Sequence, residues 1–205
     1  MVEAIRPDAV ILATGGVPAI PAITGIKRRN VVTGGDLHHR LKTLLKIFGP
    51  NVLRWLTKFW MPVGKRVVII GGAIHGCELA EFLVKRGRKV TVVDRAEELG
   101  ELMPIRNKIK LFKWLTKKGA IMISGVKEYV EVTDKGLTIV TKEGQQQIIG
   151  ADTIVTALPL NPNTELLQDL EGEVPEVYCI GDCNEPRLII HAIADGYRVA
   201  SAING

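Results

Sequence analysis

A glycine-rich turn that follows a short apolar run carries the most specific chemistry in this sequence. Residues 67–70 predict a buried strand, and the pattern G-x-A-x-x-G follows from Gly71 to Gly76, at the start of a predicted helix. Asp94 ends the next predicted strand, about 20 residues further on. This order is typical of a dinucleotide-binding unit, in which the pyrophosphate lies at the N-terminus of the helix. Unpaired amides and the helix dipole favour negative charge there.

The residues of the turn are predicted to hold a nicotinamide dinucleotide. Gly71 permits the tight turn, and Gly76 lets the helix pack closely on the strand. Ala73 stands where a glycine usually lets the backbone approach the pyrophosphate, so its methyl group is expected to push the phosphate outward or to shift the loop. The alternative is a glycine turn that serves packing alone. The predicted contacts are Gly71, Gly72, Ala73, Ile74, Gly76, Glu78, Asp94 and Arg95.

Two adjacent residues point to opposite choices of nucleotide. Asp94 is placed to accept hydrogen bonds from both hydroxyls of the adenosine ribose, and its charge repels a 2′-phosphate. Arg95 favours the 2′-phosphate, because guanidinium pairs well with phosphate, unless it is a solvated surface residue. On this argument, the sequence favours NAD(H) over NADP(H) as the bound nucleotide. His75, in the same turn, is predicted to be a surface residue.

Strands and helices alternate around the glycine turn. After the first strand come a helix over 77–86, a strand over 89–94, a helix over 106–118 and a strand over 120–123. This alternation predicts parallel strands joined by right-handed crossovers. Three later strands, separated by hairpin signals, predict an antiparallel β-meander. The predicted fold class is α/β, a Rossmann-like βαβαβ unit with an added meander.

Positive charge is concentrated in one segment. The 205-residue chain has a net charge of +5, yet residues 37–66 carry seven Lys and Arg and no acid. The rest is slightly acidic, which disfavours a general nucleic-acid-binding function. Apolar residues at helical spacing predict an amphipathic hairpin over 37–63. It is interpreted as a linker packed on another domain, as a surface that docks on a membrane or a partner domain, or as part of a site for an anionic substrate such as a CoA ester.

Cysteine usage points to a reducing, cytoplasmic setting. Cys77, Cys179 and Cys183 form no C-x-x-C pair, so no disulfide framework is predicted. Cys179 and Cys183 are expected to serve packing, with a shared metal or a redox pair as the alternative. Paired metal-ligand spacing is missing, and no metal site is predicted. The sequence has no apolar run of the about 20 residues that cross a bilayer as a helix.

Four ordered segments of the chain resemble a known family. They are residues 13–18 (ATGGVP), 71–78 (GGAIHGCE), 157–167 (ALPLNPNTELL) and 177–200. Together they are similar to two-dinucleotide flavoprotein reductases, and most to the C-terminal half of the NADH:flavin oxidoreductases related to old yellow enzyme, the 2,4-dienoyl-CoA reductase and 2-enoate reductase group. The resemblance implies an NAD(P)H domain inserted into an FAD domain. The predicted divisions are an FAD-domain strip over 1–36, the hairpin over 37–63, the NAD(P)H domain over 64–160 and a returning FAD-domain strip over 161–205.

The same resemblance implies further site residues. The FAD contacts that it implies are Thr14, Gly15, Gly181, Asp182, His191 and Ala192. Among them, Asp182 would hydrogen-bond the ribityl chain, and the last two would face the pyrimidine edge of the flavin. Glu78 would lie near the nicotinamide, with Leu158 and Pro159 beside it.

The resemblance also implies a function. In such enzymes NADH passes a hydride to FAD, and electrons continue to FMN and an unsaturated substrate. The FMN-carrying barrel, the iron–sulfur cysteines and the FAD-binding glycine motif are not in this sequence, so the chain is expected to be the NADH-binding electron-input fragment of a larger enzyme, with the barrel and the FAD half-domain as its partners.

Alone, the fragment is expected to bind NADH weakly, to bind FAD poorly, to catalyse nothing appreciable and to self-associate. The alternatives are a self-sufficient NAD-dependent dehydrogenase and a binding module that acts through the hairpin.

Overall fold

The chain divides into two compact units. The computed structural model describes residues 5–39, 42–43 and 61–203. Ile20–Leu158 form one unit, which we call the continuous unit. Met1–Ala19 and Pro159–Gly205 form the other, which we call the discontinuous unit.

A five-stranded parallel sheet is the centre of the continuous unit. Its strands lie in the order β3-β10-β4-β5-β6, with the bounds β3 Val31–Thr33, β4 Arg66–Ile70, β5 Lys89–Val93, β6 Ile121–Ile123 and β10 Thr153–Thr156. All four pairings are parallel. The strands are runs of Val and Ile because both faces of this sheet are covered. The predicted α/β class with a parallel sheet is confirmed.

Two helices cover one face of the sheet. They are α1, Ile74–Val84, and α2, Ile105–Lys117. Leu83 and Leu115 are fully buried and share one apolar cluster with Ile69 and Val92 of the strands. We call this cluster the helix-side core.

A three-stranded antiparallel meander covers the opposite face. Its strands are β7 Glu128–Thr133, β8 Gly136–Val140 and β9 Gln146–Gly150. Leu137 and Ile139 pack in a second cluster with Val68, Ile70 and Val93, which we call the meander-side core. Successive residues of one strand therefore enter different cores, as the two-residue period of a strand requires. The hairpin signals at 134–136 and 143–144 lie at the two turns of this meander.

The discontinuous unit combines the two ends of the chain. Its strands are β1 Ala9–Leu12, β2 Gly16–Pro18, β11 Leu160–Pro162 and β12 Glu176–Cys179, and its helices are α3 Glu165–Leu170 and α4 Ile189–Ile203. β1 pairs in parallel with β12, and β2 pairs antiparallel with β11. A small core contains Leu12, Leu170, Val174 and Cys183.

The predicted strip over 1–36 is longer than the first segment of the discontinuous unit, which ends at Ala19. β3 pairs with β10 in register Val32 to Val155, so it lies in the continuous unit and not in the strip 1–36. The apolar run of β3 is too short for sequence periodicity to show which sheet it joins. Residues 34–39 are helical, but most of the predicted hairpin over 37–63 lies outside the described residues.

The described residues contain neither a membrane-spanning helix nor a metal-binding cluster. No helix there is both long and apolar enough to span a membrane. No group of three or more His, Cys, Asp or Glu side chains in the same residues could hold a metal ion.

Two substitutions on α2 test the helix-side core. Leu115 is fully buried, and Ile109 on the same helix is 60% exposed. We expect Leu115→Ala to lower the free energy of unfolding by about 2–5 kcal/mol, because it leaves a cavity. Ile109→Ala should change it by no more than about 0.5 kcal/mol. Urea denaturation of both variants measures this, and similar losses for the two would contradict the packing described.

Candidate dinucleotide-binding site

The glycine turn joins β4 to α1 at a point where three strand ends meet. Gly71 has a φ of +113°, in the region that favours glycine. Its amide donates to the carbonyl of Val93 at 2.9 Å. A Cβ at Gly71 would lie 2.7 Å from the carbonyl carbon of Ala157. Only glycine therefore fits between the ends of the neighbouring strands.

The N-terminus of α1 rests directly on this turn. A Cβ at Gly76 would run into the carbonyl oxygen of Gly71, so the helix approaches the turn as closely as the backbones permit. Ala73 caps the helix through its backbone, with φ −69° and ψ −175°, and no side chain caps the first turn. Ala73 is in extended geometry and unstrained. The helix end thus presents amides with no capping side chain, as anion sites do.

Asp94 lies against the turn. Its Oδ2 accepts the amide of Gly72 in a short hydrogen bond, and its Oδ1 accepts the amide of Ala96 at 2.8 Å. Each carboxylate oxygen has a second lone pair, so both can also accept a hydroxyl proton. The carboxylate is half-buried. The predicted pairing of glycine turn and strand-end acid is thus present in the geometry.

The loop after Asp94 closes over the turn. The amide of Gly100 donates to the carbonyl of Gly72 at 2.6 Å. Leu99 is buried and occupies the space that a side chain at Gly72 would need. Glu97 and Glu98 form ion pairs with Lys142 and Lys108 respectively. These contacts tie the loop to the turn, to the meander and to α2.

Arg95 and Tyr129 meet on the meander side. The guanidinium carbon of Arg95 lies 5.3 Å from the ring centre of Tyr129. The Tyr129 hydroxyl donates to the carbonyl of Val93 at 3.4 Å. Burial, and then the negative charge of Asp94, raise the pKa of this phenol well above its usual range, so it stays a donor. Sequence analysis did not single out Tyr129, because its place in a meander strand shows nothing of the loop it contacts.

The other predicted nucleotide contacts differ in their exposure and in the unit to which they belong. Ile74 is half-buried at the start of α1, whereas His75 and Glu78 are exposed on the same helix. Leu158 is half-buried against the meander-side core. Pro159 is exposed and belongs to the discontinuous unit. Contact of these residues with a nucleotide stays a prediction.

Most of the implied FAD residues line one cavity of about 420 Å³ in the discontinuous unit. Four of the six, Gly15, Gly181, Asp182 and Ala192, line it. Thr14 and His191 do not line it. Thr14 instead donates through Oγ1 to the carbonyl of Asn163 at 3.0 Å.

A buried acid that sequence analysis missed organises this cavity. Asp195 on α4 is 3% exposed. Its carboxylate accepts the amide of Gly181 at 3.2 Å and pairs with Arg198 at 2.7 Å and Arg187 at 3.6 Å. It holds the Gly181 loop to the helix. The available signal was an acid that lies at helical spacing from Ala192 and Val199 on the same helix.

Comparisons with known proteins agree with this arrangement. The family described as pyridine nucleotide-disulphide oxidoreductase matches residues 2–196. An NADH oxidase of Thermoanaerobacter brockii is 32% identical over 201 residues, which cover 97% of this chain and 28% of that protein. A bilirubin reductase of Mediterraneibacter gnavus is 30% identical over 204 residues, 99% of this chain and 28% of that protein.

Solved structures of other proteins have a similar fold. A complex of 2-naphthoyl-CoA reductase with 2-naphthoyl-CoA superposes with a TM-score of 0.76 at 29% identity, over 96% of this chain and 27% of that one. A histamine dehydrogenase of Rhizobium sp. 4-9 has a TM-score of 0.72 over 97% of this chain and 31% of that one, but at 18% identity it shows the fold alone. The chain spans between 26% and 48% of the length of the curated relatives that it matches.

The thiol of Cys77 provides a pH test of the turn. It is fully buried and donates to the carbonyl of Gly72 at 3.2 Å, and burial raises its pKa from 9.0 to about 11. The folded state therefore keeps the proton to a higher pH than the unfolded state. The resulting stabilisation is complete below pH 9 and is lost as the pH rises through 11.

Cys77→Ala removes this pH dependence. We expect the free energy of unfolding of the wild type to fall relative to that of Cys77→Ala by about 1 kcal/mol between pH 8 and pH 10. Urea denaturation at several pH values measures the difference. A constant difference would mean that the thiol titrates alike in the two states.

Proposed function

This chain belongs to the pyridine nucleotide-disulphide oxidoreductase family, and from this premise we propose that it is the NAD(H)-binding portion of a flavin-dependent oxidoreductase. Its part is to orient the nicotinamide for hydride transfer to FAD. One observation carries the proposal: a glycine turn, a helix N-terminus without a side-chain cap and the Asp94 carboxylate lie together at the ends of parallel strands. Crevices at the carboxyl ends of parallel strands are where such folds bind dinucleotides.

In the continuous unit, different residues would bind the pyrophosphate and the ribose of the nucleotide. The amides at the start of α1, near Ala73 and Ile74, would bind the pyrophosphate. Asp94 would accept the ribose hydroxyls through the lone pairs that Gly72 and Ala96 leave unused. Glu78, one turn into α1 and exposed, would lie towards the nicotinamide. These roles are proposals that rest on donor and acceptor chemistry.

Asp94 also supports a preference for NAD(H) over NADP(H). A 2′-phosphate beside the carboxylate would meet like charge, and the ribose hydroxyls would meet an acceptor. Both oxygens of Asp94 are held by backbone amides, so the carboxylate does not swing away to admit the phosphate.

The cavity of the discontinuous unit fits part of an FAD. Its lining combines the glycines Gly15 and Gly181, whose φ values are +75° and +63°, with the acid Asp182. Backbone exposed at glycines and a carboxylate acceptor suit the ribityl and phosphate portion of a flavin nucleotide. Bound FAD would supply the two-electron acceptor for a nicotinamide hydride. Gly181 and Asp182 would hold it, and Asp195 would hold Gly181.

The substrate class follows from the relatives by analogy. Their names include cinnamate reductase, bilirubin reductase and 2-naphthoyl-CoA reductase. Cinnamate, bilirubin and the naphthoyl group are conjugated unsaturated compounds. We therefore propose that the whole protein belongs to the group related to old yellow enzyme and reduces a conjugated substrate with electrons from NADH. An FMN and an iron–sulfur cluster would belong to its other domains.

Calorimetric titration of the chain with NADH and NADPH tests the nucleotide site. We expect NADH to bind at least about tenfold more tightly than NADPH, because of the charge on Asp94. In Asp94→Ala this preference should be lost and NADH affinity should fall. Asp134→Ala is the matched control, since it removes one acid of the same unit that is 86% exposed. Equal affinities of the wild type for both nucleotides would contradict the role of Asp94.

A second substitution tests the unusual alanine of the turn. Ala73→Gly should tighten NADH binding by about fivefold, or about 1 kcal/mol, because it removes the methyl group that keeps the pyrophosphate from the backbone. His75→Ala, an exposed neighbour, is the control and should leave the affinity unchanged. If NADH bound Ala73→Gly no more tightly than wild type, the methyl group would not obstruct the phosphate.

A further inference from the structure

We propose that Tyr129 determines nucleotide choice by holding Arg95 on the meander side of the sheet, away from the glycine turn. The inference rests on the proposed function, since it concerns which nucleotide the same site admits. Tyr129 contacts the loop rather than the turn, and would act as a positioning residue through Arg95.

The side-chain period of β5 separates the two charged residues. Val92 packs in the helix-side core, and Val93 packs in the meander-side core. The alternation continues beyond the strand: the carboxylate of Asp94 meets Gly72 of the glycine turn, and the guanidinium of Arg95 lies over Tyr129 of the meander. The two residues are adjacent in sequence, yet their side chains contact different parts of the unit, the turn in one case and the meander in the other.

Tyr129 offers a fixed ring against which Arg95, itself exposed, lies. The ring is 7% exposed and belongs to the meander-side core, so its position is fixed by packing. Its hydroxyl donates to the carbonyl of Val93, two residues before Arg95. The guanidinium carbon at 5.3 Å from the ring centre is within the range of a cation–π interaction.

Other cations around the same loop are also engaged. Lys108 pairs with Glu98 at 2.5 Å, and Lys142 pairs with Glu97. A 2′-phosphate beside Asp94 needs a cation to offset its charge, and Arg95 is the cation adjacent in sequence. To reach the phosphate, its guanidinium would have to leave the Tyr129 ring and move towards the glycine turn. The proposed result is that NADPH binds more weakly than NADH although the chain carries an arginine where a phosphate contact is expected.

The experiment is a double-mutant cycle, with dissociation constants for NADH and NADPH measured by calorimetry on the full chain. Arg95→Ala in the wild-type background should leave the NADPH dissociation constant unchanged, because the guanidinium does not reach the phosphate. Tyr129→Leu should release Arg95 and strengthen NADPH binding relative to NADH by about threefold to fivefold. The double variant should lose that gain.

Tyr129→Phe is the matched control, because it keeps the ring and removes the hydroxyl. Its NADPH-to-NADH ratio should equal that of the wild type. The proposal is overturned if Arg95→Ala alone weakens NADPH binding, or if the ratio in Tyr129→Leu is unchanged. Circular dichroism checks folding, and if Tyr129→Leu does not fold, Tyr129→Met, which also lacks an aromatic ring, replaces it with the same expected ratio. Failure of the wild type to bind NADH would instead overturn the proposed function itself.

Discussion

The close approach of backbone at Gly71 is the constraint on which the rest of the dinucleotide site depends. The turn places its amide on the carbonyl of Val93 and leaves no room for a side chain against Ala157. Three neighbouring parallel strands can end together only because this residue adopts a positive φ. The start of α1, the carboxylate of Asp94 and the loop that ends at Gly100 all take their positions from that junction.

The buried thiol of Cys77 and the methyl group of Ala73 both fit the backbone geometry of the glycine turn. The carbonyl of Gly72 accepts both the amide of Gly100 and the thiol of Cys77, so this carbonyl has two donors within the chain. Ala73 has an extended backbone that any residue adopts, and its methyl group therefore costs no backbone strain. Its effect falls on the ligand and not on the fold.

In the discontinuous unit, a side chain from a helix holds the glycine loop in place. Here a carboxylate from a helix, Asp195, accepts the amide of Gly181 and is compensated by two arginines. A buried acid without such partners would be strongly unfavourable. In both units, then, an acid that accepts a backbone amide holds a glycine loop in place, at Gly72 in one and Gly181 in the other.

Sequence alone determined the βαβ pattern, the glycine turn and its acid, and the meander, because each depends on local periodicity or on a backbone conformation that only certain residues adopt. It also supported the family, since the matching motifs are ordered along the chain. The sequence did not determine which sheet β3, Val31–Thr33, joins, because three residues are too few to show a periodicity of side chains.

The contacts that cross between elements were decided by the tertiary structure. Asp195 and Tyr129 are ordinary residues of a helix and a strand until packing brings them to Gly181 and Arg95. The different contacts of Asp94 and Arg95 could not be predicted from the sequence, since the two residues are adjacent and β5 ends before them. The alternation of β5 between two cores sends one side chain to the glycine turn and the other to the Tyr129 ring.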